Sequence, residues 1–184
     1  VMGHKAGWLA LYAGIAGGGD VILIPEIPYN IANIAKHLKK RQKQGKIFSI
    51  VVVAEGAMNE AESLMDKKTF KKARKEMKYS IGYRVAKELE EATGLESRVT
   101  VLGYLQRGGT PVSEDRVLAT QMGVEAAHMV ARGEFGKMLA MQNGKVLGVD
   151  LDEVAGKIKS VEKNHPLVLA AREVGTCFGE KYEE

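Results

Sequence analysis

Residues 98–116 read RVTVLGYLQRGGTPVSEDR, and their types and spacing are those of an anion cradle. Arg107, Gly108 and Gly109 lie between an apolar, β-branched run (Val99, Val101, Leu102, Leu105) and a helix start signalled by Ser113, Glu114 and Asp115. Glycines let a backbone approach an anion closely, a helix N-terminus offers unpaired N–H groups, and a guanidinium grips phosphate with two hydrogen bonds. An ordinary strand-to-helix turn with a solvated arginine is the alternative. Two more polar turns qualify: Glu55 with Gly56 after an apolar run, and Met2 to Gly7 ahead of the first helix. Ligands of an open parallel sheet gather beyond the carboxyl ends of its strands. There a carboxylate accepts hydrogen bonds from hydroxyls, while Arg98, Arg107, His4 or Lys5 suit phosphate. The set fits a phosphorylated polyol better than a metal or a base. Plainer roles exist for each: Glu55 capping a backbone amide, Arg98 and Lys5 as solvated charges.

Other chemistries find little support. The four histidines, at 4, 37, 128 and 165, lack paired ligand spacing and Cys177 stands alone, so no metal site is expected. Ser49, Ser80 and Ser113 lack a nucleophile-elbow context.

Alternating helices and apolar strands must position these turns. Gly7–Ala16 reads as a helix stopped by Gly17, Gly18 and Gly19, and Val21–Pro25 as a strand. That order, helix then glycines then strand, is the reverse of a nucleotide-binding loop. Asn30 caps a helix that runs through Gln44 with Ile31, Ile34, Ala35 and Leu38 as its apolar stripe, and Gly45 stops it. Ile47–Ala54 reads as a buried strand. A helix with Ile81, Val85 and Leu89 on one stripe ends near Gly94, and a strand follows from Arg98 to Leu105. After Thr110 comes a helix with Leu118, Met122, Ala126 and Met129 or Val130 inward, ending at Arg132 and Gly133. Met138–Met141 and Lys145–Val149 flank Asn143-Gly144 as a hairpin, short helices span 152–159 and 166–175, and EKYEE closes the chain as a polar tail. The fold class expected is α/β, a three-layer α/β/α arrangement with a mostly parallel sheet.

Composition narrows the class. The 184 residues are 45% hydrophobic with a net charge of +4, enough for a core, and no apolar run is long enough to span a membrane. A single cysteine and no signal-peptide pattern imply a cytoplasmic setting. Basic residues cluster at 36–46 and 67–78, yet only Phe70 interrupts the second run, so the interleaved aromatics of a nucleic-acid binder are missing.

Three stretches, VMGHKAGWLALYAGIAGGGDVILIPE, VVVAEGA and RVTVLGYLQRGGTPVSEDRVLATQMG, resemble in order and spacing the C-terminal, substrate-binding half of bacterial-type 6-phosphofructokinases, including the pyrophosphate-dependent branch. The resemblance covers nearly the whole chain. It implies a glycolytic transferase that moves a phosphoryl group from ATP or pyrophosphate, with Mg2+, to the 1-hydroxyl of fructose 6-phosphate. By the same resemblance Met2, Gly3 and His4 correspond to the turn at the sugar phosphate, Glu55 to the sugar-binding carboxylate, and Arg107 to a substrate contact. Arg98 corresponds to an arginine that reaches a neighbouring subunit's substrate, and Asp20 and Lys46 to effector-site positions.

Two residues depart from the pattern: His4 stands in place of Arg, and Tyr104 where many ATP-dependent members have His. Imidazole grips phosphate less firmly than guanidinium, which Lys5 could offset, while the Tyr104 hydroxyl can still donate to a phosphate oxygen. The family's donor loop and its catalytic Asp segment correspond to positions upstream of Val1, so the chain alone is expected to bind no cofactor and to turn nothing over. Residues 1–105 plus 157–184 are expected to form the fructose-6-phosphate lobe, and 106–156 to belong to the donor lobe. Expected partners are fructose 6-phosphate, the chain's own N-terminal half and further copies in a dimer or tetramer; membrane and nucleic acid are not.

Overall fold

A computed structural model describes residues 1–181; of the expected polar tail, residues 182–184 lie outside the described residues. The chain divides into two compact units, Val1–Gln106 with the chain from Lys159 onward, and Arg107–Ile158.

In the first unit α1 (Trp8–Ala16) leads to β1 (Val21–Leu23), α2 (Ile31–Lys43) and β2 (Val51–Val53). Strands β1 and β2 pair in parallel, Val21 opposite Val51 and Leu23 opposite Val53. Cys177 bridges the far side of β1, and Val1 lies beside the end of β2, its amino group donating to Val53 O at 2.8 Å. One face of this sheet meets α1, where Ile22 fills the space a side chain at Gly14 would need. On the other, Val51 and Val53 line a groove with Leu38 of α2 and, from a later helix, Val85 and Leu89. That alternation makes three layers, with Leu11, Ile22, Leu23, Ile34 and Val85 in a single apolar core.

Two short helices, α3 (Glu60–Ser63) and α4 (Lys67–Glu76), precede α5 (Ile81–Thr93). The first basic cluster lies along α2 and the second along α4. Asn30 caps α2 by accepting from Ala32 N–H at 2.9 Å, and Gly94 ends α5 in the left-handed region. In the second unit α6 (Ser113–Ala131) packs on the antiparallel hairpin β3 (Lys137–Gln142) and β4 (Lys145–Asp150), followed by α7 (Leu151–Val154). Asn143 and Gly144 both take positive φ, as the two-residue turn requires. Helix α8 (Pro166–Glu173) returns to the first unit.

Four expectations need correction. Arg98–Leu105 is not a strand: residues 98–102 join no ladder and Gly103–Arg107 is a 3-10 turn, with Val101 56% and Leu105 76% exposed. The apolar run 47–54 pairs only over Val51–Val53, leaving Ile47 95% exposed. Both edges border the same groove of about 650 Å³, lined by Ile47, Val51, Val53, Ser97 and Arg98, with no strand between them. A strand's backbone groups are satisfied only by a neighbour, so β-branched composition alone cannot form one. Of the expected inward residues of α6 only Met129 is buried, and the helix expected over 152–159 is the single turn α7.

Candidate functional site

The Glu55 carboxylate gathers two of the expected residues, Gly3 and His4. Val1 O accepts from Glu55 N–H at 2.8 Å, which sets the chain start against the end of β2. Gly3 (φ 150°) and His4 (φ 50°) then turn back so that both their N–H groups donate to Glu55 Oε1, at 3.0 and 2.6 Å. His4 Nδ1 lies 3.3 Å from the same oxygen. The turn fits only because residue 56 is glycine: a Cβ there would lie 2.1 Å from His4 O. Partial burial raises the affinity of Glu55 for a proton, but the amides of His4 and Gly3 and nearby positive charge outweigh it and hold the carboxyl below its ordinary range. Among the described residues Oε2 has no hydrogen-bond partner, and the side chain is 42% exposed. An ionised oxygen open to solvent and fixed at a strand end is an acceptor for hydroxyls.

Met2, the third expected residue of the turn, has its N–H on Gln106 Oε1 at 3.1 Å. Gln106 lies in the QRGG stretch, but no property of its sequence position marked it as a partner of Met2.

The remaining expected residues do not join the carboxylate. Arg98 is exposed and pairs with Glu96 at 3.2 Å. Tyr104 is 85% exposed. Arg107 is exposed at the start of the second unit, and Gly108 and Gly109 follow it in the open. The start of α6 is already supplied with negative charge, Asp115 Oδ2 accepting from Val112 N–H at 3.3 Å and Ser113 donating to Glu114 at 2.9 Å. Asp20 and Lys46 converge on Arg41: its guanidinium meets Asp20 Oδ1 at 2.7 Å, and its carbonyl accepts from Lys46 N–H at 3.1 Å. Ile50 N–H holds the other Asp20 oxygen at 2.8 Å.

A polar network braces the strand end from behind. The Arg74 guanidinium donates to Ala57 O, one residue past Gly56, and lies 3.6 Å from buried Glu62. Glu62 takes a two-point contact from Arg84 at 2.6 and 2.7 Å, and Arg84 also donates to Tyr29 Oη at 2.9 Å. Burial raises the Glu62 carboxyl, but Arg84, the Asn59 amide and Arg74 more than reverse that, so it stays charged. Burial, with smaller contributions from nearby acids, pushes the Tyr29 phenol up to about 12. No sequence motif signalled this brace, because its members are scattered over residues 29–84.

Among the described residues no three or more His, Cys, Asp or Glu side chains come together as metal ligands. Among the described residues no helix is long and apolar enough to cross a membrane.

A parallel α/β sheet with a carboxylate and a glycine turn at its strand ends places the candidate site where ligands of open α/β sheets gather. Residues 1–130 match the family model described as phosphofructokinase. The chain is 62% identical over 181 residues to an ATP-dependent 6-phosphofructokinase of Spirochaeta thermophila, covering 98% of the chain and 50% of that protein. It is 50% identical to ATP-dependent 6-phosphofructokinase 3 of Bacteroides thetaiotaomicron, covering 97% and 48%. Among solved structures, the pyrophosphate-dependent phosphofructokinase of Nitrosospira multiformis superposes with TM-score 0.69 at 25% identity, covering 100% of the chain and 48% of that one. Phosphofructokinase from Saccharomyces cerevisiae gives 0.65 at 33%, covering 83% and 19%. The chain therefore belongs to the phosphofructokinase family, and spans about half the length of the curated relatives it matches.

Proposed function

We propose that this chain is the C-terminal, acceptor-side half of a 6-phosphofructokinase, and that it binds fructose 6-phosphate for phosphorylation at the 1-hydroxyl in a cytoplasmic, oligomeric enzyme. The observation that carries the reading is Glu55, whose Oε1 is held by the Gly3 and His4 amides while Oε2 stays open to a sugar hydroxyl. The Met2, Gly3 and His4 turn, its amides already engaged, then sets the His4 side chain at the sugar phosphate, with Tyr104, Arg107 and Lys5 as further donors, and Arg98 reaches a neighbouring subunit's substrate. Asp20 and Lys46 belong to an effector site built around Arg41. ATP with Mg2+ is favoured over pyrophosphate as donor, because the relatives of 62% and 50% identity are named ATP-dependent, whereas the pyrophosphate-dependent structure is 25% identical. Donor, Mg2+ and the catalytic Asp belong to the other half, with residues 106–156 contributing to that lobe.

The reading is tested by Glu55→Gln in the full-length protein. The expected result is a KM for fructose 6-phosphate raised about tenfold or more, the loss of one hydrogen bond to a charged acceptor, with the KM for ATP little changed. An unchanged sugar KM overturns the assignment of Glu55, and a full-length protein with no turnover on either donor favours a non-catalytic regulatory or scaffold module of the same fold.

A further inference from the structure

We infer that Gln106 is a positioning residue for the sugar-phosphate site, resting on the function proposed above. Three successive amides of the first turn are spoken for: Met2 N–H by Gln106 Oε1 at 3.1 Å, and those of Gly3 and His4 by Glu55 Oε1 at 3.0 and 2.6 Å. The turn is thus pinned by two side chains from well-separated parts of the chain, Gln106 lying 104 residues from Met2 and Glu55 52 residues from Gly3.

The carboxamide has a determined orientation. Its nitrogen donates to Gly103 O at 3.2 Å, so its oxygen is the end left for Met2, and a flipped amide would set donor against donor and acceptor against acceptor. Gln106 therefore fastens its own 3-10 turn and ties that turn to Met2 with one planar group. Burial cannot do this instead, since Tyr104 is 85% and Leu105 76% exposed, while Gln106 is half-buried. A turn with so little apolar anchorage takes its position from its hydrogen bonds. Tyr104 sits inside the fastened turn and Arg107 follows Gln106 directly, so the group that fixes Met2 also fixes where the segment bearing both donors begins. Without it, the Met2 amide loses its partner and the 3-10 turn is free to shift away from Met2.

The test has two arms. In the 184-residue chain, hydrogen exchange at the Met2 amide is expected to be slowed relative to an open amide; exchange at the open rate in the unmodified chain overturns the inference without any variant. In the full-length protein, Gln106→Leu keeps the size of the side chain and removes its polar atoms. The expected result is a KM for fructose 6-phosphate raised about tenfold, as for one lost hydrogen bond between half-buried partners, while kcat and the KM for ATP stay within about twofold. An unchanged sugar KM, or a parallel loss in all three parameters, overturns it. If Glu55→Gln leaves the sugar KM unchanged as well, the functional reading has failed rather than the role of Gln106.

Discussion

Glu55 shows how one carboxylate can be both fastened and available. Its Oε1 takes two backbone donors, and this is what keeps the group ionised despite partial burial. The sign of the pH effect follows. A carboxyl whose folded value is lowered contributes stability that is full above the unfolded value of about 4.3 and is lost as pH falls through the folded one. Sugar affinity through Oε2 is therefore expected to be flat from neutral pH down to about 4.3 as far as Glu55 is concerned, and to fall only below it. A difference in fructose 6-phosphate affinity between the unmodified protein and Glu55→Gln that disappears near pH 6, where the ligand's own phosphate also titrates, contradicts the geometry. Gly56 carries a companion prediction. Gly56→Ala places a methyl against His4 O, so the turn must move off Glu55 and the sugar KM rises by on the order of tenfold in steady-state assays, as when a hydrogen bond to a charged acceptor is lost.

At the scale of elements, the helices are held by signals that lie within them, and the strand end by a brace that does not. Asn30→Ala removes the N-cap of α2 and is expected to cost about 1 kcal/mol in urea unfolding. Arg84→Met is more severe, because it strips the two-point partner from buried Glu62 and leaves that charge to Arg74. A loss of about 3 kcal/mol is expected, discounted to the low end for a guanidinium that is 25% exposed. A melting temperature unchanged by Arg84→Met means the brace contributes nothing net. The contrast explains what was legible. Asn30, Gly94 and the Asn143-Gly144 turn were readable because caps and tight hairpins satisfy backbone groups within a few residues. Ile47–Ile50 and Arg98–Leu105 were misread because their strand signal is only a capacity to pair.

For the whole molecule, the division at Gln106 and Lys159 leaves the second unit with Met129 as its one buried core residue among those described, and with Val117, Val124, Phe135 and Met138 exposed. Exposed apolar surface on this scale marks an interface. The 184-residue chain is accordingly expected to associate in light scattering, and to release no ADP from ATP and fructose 6-phosphate. A monodisperse monomer argues against the first expectation, and sugar-dependent ADP release against the second.

The sequence by itself determined the α/β class, the helices with their caps, the hairpin turn and the family resemblance carried by three motifs, since each depends on residue type at short spacing. Only the tertiary structure decided which candidates meet. It brought Gly3 and His4 to Glu55 across some fifty residues, Met2 to Gln106 across twice that span, and sent Arg98 to Glu96 instead. Side-chain chemistry states what a group can bind, but backbone amides such as those of Gly3 and His4 carry no mark in the sequence, and their aim is fixed only when the strand ends are packed together.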